Sequence, residues 1–108
     1  MRLTTETLAR LEDPKNDVFV SAVSPWEIEI KRQARRLEAP NEVLDEIEEA
    51  GFVLVPISAR HAVAAGRLPL HHRDPFDRML VAQAQLEGLT LVTRDTAFTR
   101  YQVAILPA

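Results

Sequence analysis

Short apolar runs alternate with amphipathic segments along this chain, and the alternation predicts strands separated by helices. The runs that have the length and composition of buried strands cover residues 18–22, 53–57, 89–93 and 103–106. Pro56 lies inside the second run and cannot donate to a strand ladder, so we place that strand near a sheet edge or a strand end. This order of elements predicts an α/β domain with a mainly parallel sheet that is covered on both faces.

Helix periodicity and helix-end residues fill the intervals between the runs. The predicted helices cover residues 4–11, 24 to about 36, 40 to about 50, 59 to about 67, and 75–87. For the second helix we predict Ser24 as the N-cap, with Pro25 in the first turn and Glu27 three residues after the cap.

The helix predicted after Asp74 and Pro75 differs from the others because it is apolar on most sides. A helix of that kind is usually buried against a sheet. Gly88 follows its last turn and predicts its end.

Composition is compatible with one small globular domain over residues 1–108, with 46% hydrophobic and 27% charged residues. The chain has no cysteine, which excludes disulfides and thiolate metal sites. It shows no apolar run of signal-peptide or membrane-spanning length, so we expect a cytoplasmic protein with no membrane partner. The net charge of −3 argues against a protein that binds nucleic acid mainly by phosphate neutralisation, unless its acids surround a cation.

Three acids are predicted to meet at the carboxyl ends of the parallel strands, where ligands bind in open α/β sheets. Glu27 and Asp77 lie in the first turns of their helices, and Asp95 follows the third strand. Clustered carboxylates repel one another unless a cation neutralises them, and a hard divalent cation such as magnesium is the usual solution. Such a cation activates water for phosphodiester hydrolysis.

Each acid also has a purely structural interpretation. Glu27 is equally consistent with a capping box formed with Ser24, and Asp74 with a helix N-cap. Asp77 would be favourable near any helix N-terminus, and Asp95 is compatible with a turn.

Three segments resemble the PIN-domain toxins of the VapC type, in that family's order. Residues 18–28 resemble its second-acid segment, residues 71–84 (HHRDPFDRMLVAQA) its third-acid helix, and residues 89–95 its fourth-acid strand. The resemblance implies a three-layer α/β/α fold, and a magnesium- or manganese-dependent endoribonuclease in which Glu27, Asp77 and Asp95 are the catalytic metal ligands. Asp74 and Thr93 would lie beside them.

The resemblance also implies partners and a departure from the pattern. Partners would be an RNA substrate, a VapB-like antitoxin and a second copy in a homodimer. The family's central first strand, which ends in its first acid, has no counterpart here. The alternative is therefore a catalytically impaired remnant that serves only as an antitoxin-binding or dimerisation module. A receiver-like signalling domain also places acids at strand ends, but neither lysine stands where that fold needs one.

Basic and imidazole groups flank the predicted acids. Arg73, Arg78 and Arg94 are candidates to hold RNA phosphates, although they are equally suited to pair with the carboxylates. His71 and His72 suggest a metal ligand or a general base, but we interpret adjacent loop histidines as surface residues.

Overall fold

The computed structural model describes residues 5–34, 42–93 and 95–107, with side chains from residue 9 onward. Its α-helices are α1 (Thr5–Glu12), α2 (Val23–Gln33), α3 (Val43–Glu49), α4 (Ala59–Arg67) and α5 (Pro75–Glu87). Its strands are β1 (Phe19–Ser21), β2 (Val53–Val55), β3 (Leu91–Thr93) and β4 (Ile105–Pro107), and a 3₁₀ helix covers Thr96–Arg100. The predicted α/β alternation is confirmed, while the predicted end of α2 near residue 36 lies outside the described residues.

All the pairing between the described strands is parallel, as predicted. β1 pairs with β2, with Phe19 opposite Val53, and β3 pairs with β4, with Leu91 opposite Ile105. Within the described ranges the four strands therefore form two two-stranded sheets. Pro56 follows the last residue of β2, which agrees with its predicted place at a strand end.

Contacts divide the chain into two compact units. The first combines Met1–Asn16 with Ser58–Ala108, and the second covers Asp17–Ile57. The first unit therefore contains α1, α4, α5, β3, the 3₁₀ helix and β4, and the second contains β1, α2, α3 and β2. That the two units form a single domain stays a prediction.

The start of α2 differs from its prediction. The helix begins at Val23, one residue before the predicted cap, and its N-cap residue Ala22 makes no side-chain capping bond. Instead the buried Ser21 hydroxyl accepts a hydrogen bond from the Val23 N–H at 3.1 Å. The capping box predicted between Ser24 and Glu27 is therefore wrong, because Ser24 already lies inside the helix.

Both ends of α5 agree with the sequence signals. The Asp74 carboxylate accepts a hydrogen bond from the Phe76 N–H at 2.9 Å, so Asp74 is the N-cap. Gly88 ends the helix in the left-handed region at φ 67°, where a residue with a Cβ would be strained.

The core of the first unit forms beside α5. Val81 is fully buried and clusters with Phe98 of the 3₁₀ helix and with Tyr101, which follows it. Partly buried side chains from β3, β4 and the neighbouring loops surround this cluster, namely Leu68, Leu91, Val103 and Ile105. The cluster therefore packs the middle of α5 against the 3₁₀ helix that follows β3. Over the described residues, no helix has the length and hydrophobicity needed to cross a membrane.

Candidate metal centre

The loop between α4 and α5 is organised around the guanidinium of Arg78. This side chain is buried, with only 8% of the residue exposed. Its two terminal nitrogens donate hydrogen bonds of 2.9–3.4 Å to five backbone carbonyl oxygens, those of Ala65, Gly66, Leu68, Pro69 and His72. Because a planar guanidinium presents its donors in a fixed fork, Arg78 holds the loop in one conformation. The prediction that Arg78 contacts RNA is accordingly corrected, since its guanidinium faces the protein's own backbone.

Tyr101 holds the same loop through its hydroxyl. Its hydroxyl donates to the carbonyl oxygen of Pro69 at 2.7 Å and accepts the backbone N–H of His72 at 3.0 Å. The residue is buried, so these bonds are shielded from competing water. The backbone of His72 is thus fixed both at its N–H and, through Arg78, at its carbonyl.

The imidazole of His72 contacts both of the predicted catalytic acids that lie in the first unit, Asp77 and Asp95. Its Nε2 lies 2.9 Å from Oδ2 of Asp95 and 3.0 Å from Oδ2 of Asp77. Its Nδ1 accepts the backbone N–H of Asp74 at 3.1 Å, and its ring packs at a tilt on Phe98. One ligand atom from each of the three side chains lies within 4.8 Å of the other two. The predicted approach of Asp77 and Asp95 is therefore confirmed.

Asp95 is held by bonds on both sides of its carboxylate. Oδ1 accepts the N–H of Ala97 at 2.9 Å, which makes Asp95 the N-cap of the 3₁₀ helix. The Thr93 hydroxyl accepts the N–H of Asp95 at 3.1 Å, so Thr93 lies beside the acid and holds its backbone. The Ala97 N–H, and secondarily the bond to His72, lower the pKa of Asp95 below its ordinary value, because both favour the charged carboxylate.

The donor atoms at this place suit a hard divalent cation. Two aspartate oxygens converge on one point beside an exposed face, and magnesium prefers few carboxylates together with waters and substrate phosphates. Manganese accepts the same donors. The residues present therefore fit a divalent cation, and the roles of Asp77 and Asp95 as its ligands stay a prediction.

Glu27, the third predicted ligand, belongs to the other unit. It lies on α2, where its carboxylate is 3.4 Å from Nζ of Lys31, one turn further along the helix. The side chain keeps about a third of its surface exposed. Its convergence with Asp77 and Asp95 stays a prediction.

The remaining predicted site residues have different outcomes. Asp74 is the N-cap of α5 and also holds His72 through its backbone N–H, so it lies beside the two acids as predicted. Arg73 is exposed on the loop, and its contact with RNA stays a prediction. Arg94 lies outside the described residues.

The role of His72 was not predicted. Its neighbour His71 is exposed, in agreement with the surface interpretation, whereas the His72 side chain is only 16% exposed. One signal was present in the sequence: His72 stands two residues before the N-cap Asp74. A ring nitrogen at that spacing can accept the N-cap N–H, which turns the imidazole toward the start of the helix.

The chain matches the PIN domain over residues 3–104. None of the curated proteins compared with it shows a significant match.

Proposed function

The chain belongs to the PIN domain family, and from this premise we propose that it is an endoribonuclease that depends on magnesium or manganese. PIN domains are generally metal-dependent nucleases. In our proposal Asp77 and Asp95 bind the cation, Glu27 is the third ligand, and RNA is the substrate.

The observation that carries the proposal is the convergence of two carboxylates on one nitrogen. Asp77 and Asp95 come from different elements, yet each places an oxygen within 3.0 Å of His72 Nε2. Two carboxylates this close repel each other and favour a positive partner between them. A site of this kind gains most from a cation, and a bound cation can activate water for phosphodiester hydrolysis.

When bound, the cation would neutralise the two carboxylates, lower the pKa of a coordinated water and polarise a phosphoryl oxygen. Other groups of the chain hold Asp95 in position for the cation. The Ala97 N–H, and after it His72, favour the ionised form of Asp95, and the Thr93 hydroxyl holds its backbone N–H. Arg73 and Arg94 are our candidates for holding the phosphates of the RNA.

We further propose that the protein is the toxin of a VapC-type toxin–antitoxin pair, acting in the cytoplasm. Support comes from the sequence of residues 71–84, in which the Asp74-Pro75 start of α5 and Asp77 fall at the places expected for those toxins. A VapB-like antitoxin would be its inhibitor, and a homodimer its assembly.

A cleavage assay tests the nuclease proposal. The full chain is incubated with a mixed RNA substrate in Mg²⁺ or Mn²⁺, or with a chelator, and compared with Asp77→Asn. We expect cleavage only with the metal, and a loss on the order of 10²-fold or more in the variant. The matched control is Asp45→Asn, which changes an exposed acid in the first turn of α3. Cleavage that persists with the chelator and in Asp77→Asn would rule out this mechanism.

The second candidate, a non-catalytic module that binds an antitoxin or a second copy, is favoured by one observation. Within the described residues of the first unit, the group around His72 contains two carboxylates, and an imidazole nitrogen already lies between them. A protein that folds and binds an antitoxin, but shows no Mn²⁺ affinity, would select this candidate.

A further inference from the structure

We infer that the His72 imidazole occupies the place of the cation in the metal-free protein, as an N–H donor, and is displaced when the cation binds. His72 is then a positioning residue that competes with the metal rather than one of its ligands. This inference rests on the proposed function, because it concerns the same two carboxylates.

The first step is the position of the proton on the ring. Nδ1 of His72 lies 3.1 Å from the backbone nitrogen of Asp74 and accepts its N–H. A nitrogen that accepts a hydrogen bond carries no proton, so a neutral ring must carry its proton on Nε2. Nε2 is the atom that faces Asp95 at 2.9 Å and Asp77 at 3.0 Å. A protonated nitrogen has no lone pair to give to a metal.

The opposite tautomer is disfavoured by the same contact. Nε2 becomes a metal ligand only if the proton moves to Nδ1, and that proton would point at the N–H of Asp74. Two donors would then face each other across 3.1 Å, and the Asp74 N–H would lose its acceptor. Magnesium in addition prefers oxygen to imidazole nitrogen. Both arguments exclude His72 from the ligands in its present orientation.

The second step concerns what moves. The His72 backbone is held at its N–H by Tyr101 and at its carbonyl by Arg78. The side chain in contrast is partly exposed and has Phe98 as its ring neighbour. Displacement is therefore a side-chain rotation on a fixed backbone, and the loop need not rearrange.

A consequence for affinity follows from this competition. A cation must replace the Nε2–H bond to Asp95, so His72 weakens metal binding while it keeps the two carboxylates from separating. Removing only the Nε2–H should leave Asp95 held by Ala97 and should remove the group that competes with the cation for Asp77 and Asp95.

His72→Asn makes that change selectively. The amide oxygen of asparagine stands where Nδ1 stands in histidine, so it can still accept the Asp74 N–H, but it has no group that reaches the acids. We expect His72→Asn to bind Mn²⁺ about fivefold more tightly than the unchanged chain, the effect of losing one competing hydrogen bond. His71→Asn on the same loop is the matched control and should leave the affinity unchanged. Free Mn²⁺ is measured by electron paramagnetic resonance, and circular dichroism verifies that both variants are folded.

Nitrogen NMR of the histidine rings supplies a readout that does not depend on activity. In the metal-free full chain we expect His72 protonated on Nε2, with Nδ1 unprotonated. Saturation with Mg²⁺ should abolish its hydrogen bond without producing the shift of a metal-bound nitrogen. A metal-bound Nε2, or an unchanged or weaker Mn²⁺ affinity in His72→Asn, overturns the inference and leaves the nuclease proposal intact. If neither the unchanged chain nor His72→Asn binds Mn²⁺, both proposals fall.

Discussion

At the scale of single residues, a few side chains hold the backbone around the two acids. Arg78 and Tyr101 form hydrogen bonds with carbonyl and amide groups of the loop before α5. His72, which this loop positions, contacts Asp77 and Asp95. Buried backbone groups need hydrogen-bond partners, and side chains supply them here because the loop has no strand or helix ladder. Substitutions at these residues should therefore change the free energy of unfolding and the pKa of Asp95 more directly than they change RNA binding.

Replacement of Arg78 by methionine should destabilise the protein by about 3 kcal/mol, because it leaves buried carbonyl oxygens without their donor. Urea unfolding gives the free energy directly. The control is Arg60→Met, at an exposed position of α4, which we expect to stay within about 0.5 kcal/mol. If Arg78→Met instead unfolds like the unchanged chain and loses only RNA affinity, the structural role assigned to Arg78 is wrong.

The titration of Asp95 provides a second measurement at this scale. Its pKa should lie below the ordinary 3.8, chiefly because of the Ala97 N–H and then because of His72. A lowered native pKa adds stability above the unfolded pKa, and that stability is lost as pH falls through the native value. Carbon NMR of the carboxyl group should show the low midpoint, and His72→Asn should raise the midpoint only partly, because the Ala97 bond remains. A midpoint at or above 3.8 in the unchanged chain would contradict this account.

At the scale of elements, helix ends were predicted best where a capping residue, a proline or a glycine marks them. Asp74 with Pro75 marked the start of α5, and Gly88 marked its end, both as observed. At α2 the same reasoning failed, because the helix begins at Val23, whose N–H bonds to the Ser21 hydroxyl of β1, and Ser24 already lies inside the helix.

The 3₁₀ helix at Thr96–Arg100 was not predicted. It is one short turn begun by Asp95, and periodicity carries no signal over such a length. The approach of Asp77 to Asp95 was predicted from the alternation of strands and helices, whereas the His72 bridge depends on a loop conformation that the side chains of Arg78 and Tyr101 hold. Parallel pairing was predicted, but its division into two described pairs depends on tertiary contacts that no local pattern encodes.

Two glycines test the helix ends as a matched pair. Gly88→Ala forces a Cβ into the left-handed region at φ 67°, and should cost about 1 kcal/mol. Gly66→Ala lies within α4, where an added Cβ meets nothing within 4 Å, and should gain roughly 0.5–1 kcal/mol from helix propensity. Thermal or urea unfolding compares them. Equal effects of the two substitutions would show that backbone conformation is not what ends α5.

At the scale of the whole molecule, the two compact units divide the predicted catalytic acids. Asp77 and Asp95 belong to the unit that contains α5, and Glu27 belongs to the unit that contains α2. Binding of the cation by Asp77 and Asp95 should stabilise the unit that contains α5, since a ligand stabilises the folded form that binds it.

Glu27→Gln tests whether Glu27 is a ligand of the proposed cation. We expect it to weaken Mn²⁺ binding by about tenfold, because it removes one of three proposed carboxylate ligands. Glu29→Gln is the control, since Glu29 lies on the same helix and pairs with Arg32 at 3.3 Å. Equal Mn²⁺ affinities in Glu27→Gln and the unchanged chain would remove Glu27 from the proposed site.

The same division gives each unit its own chromophore. The chain has one tryptophan and one tyrosine; Trp26 falls in the unit of α2, and Tyr101 lies in the core beside α5. Tryptophan fluorescence, excited at the red edge where tyrosine does not absorb, therefore reports on the unit of α2. The absorbance of the buried Tyr101 reports on the unit of α5. Coincident melting of the two signals would mark a single cooperative transition, and added Mn²⁺ should raise the melting temperature that the tyrosine signal reports.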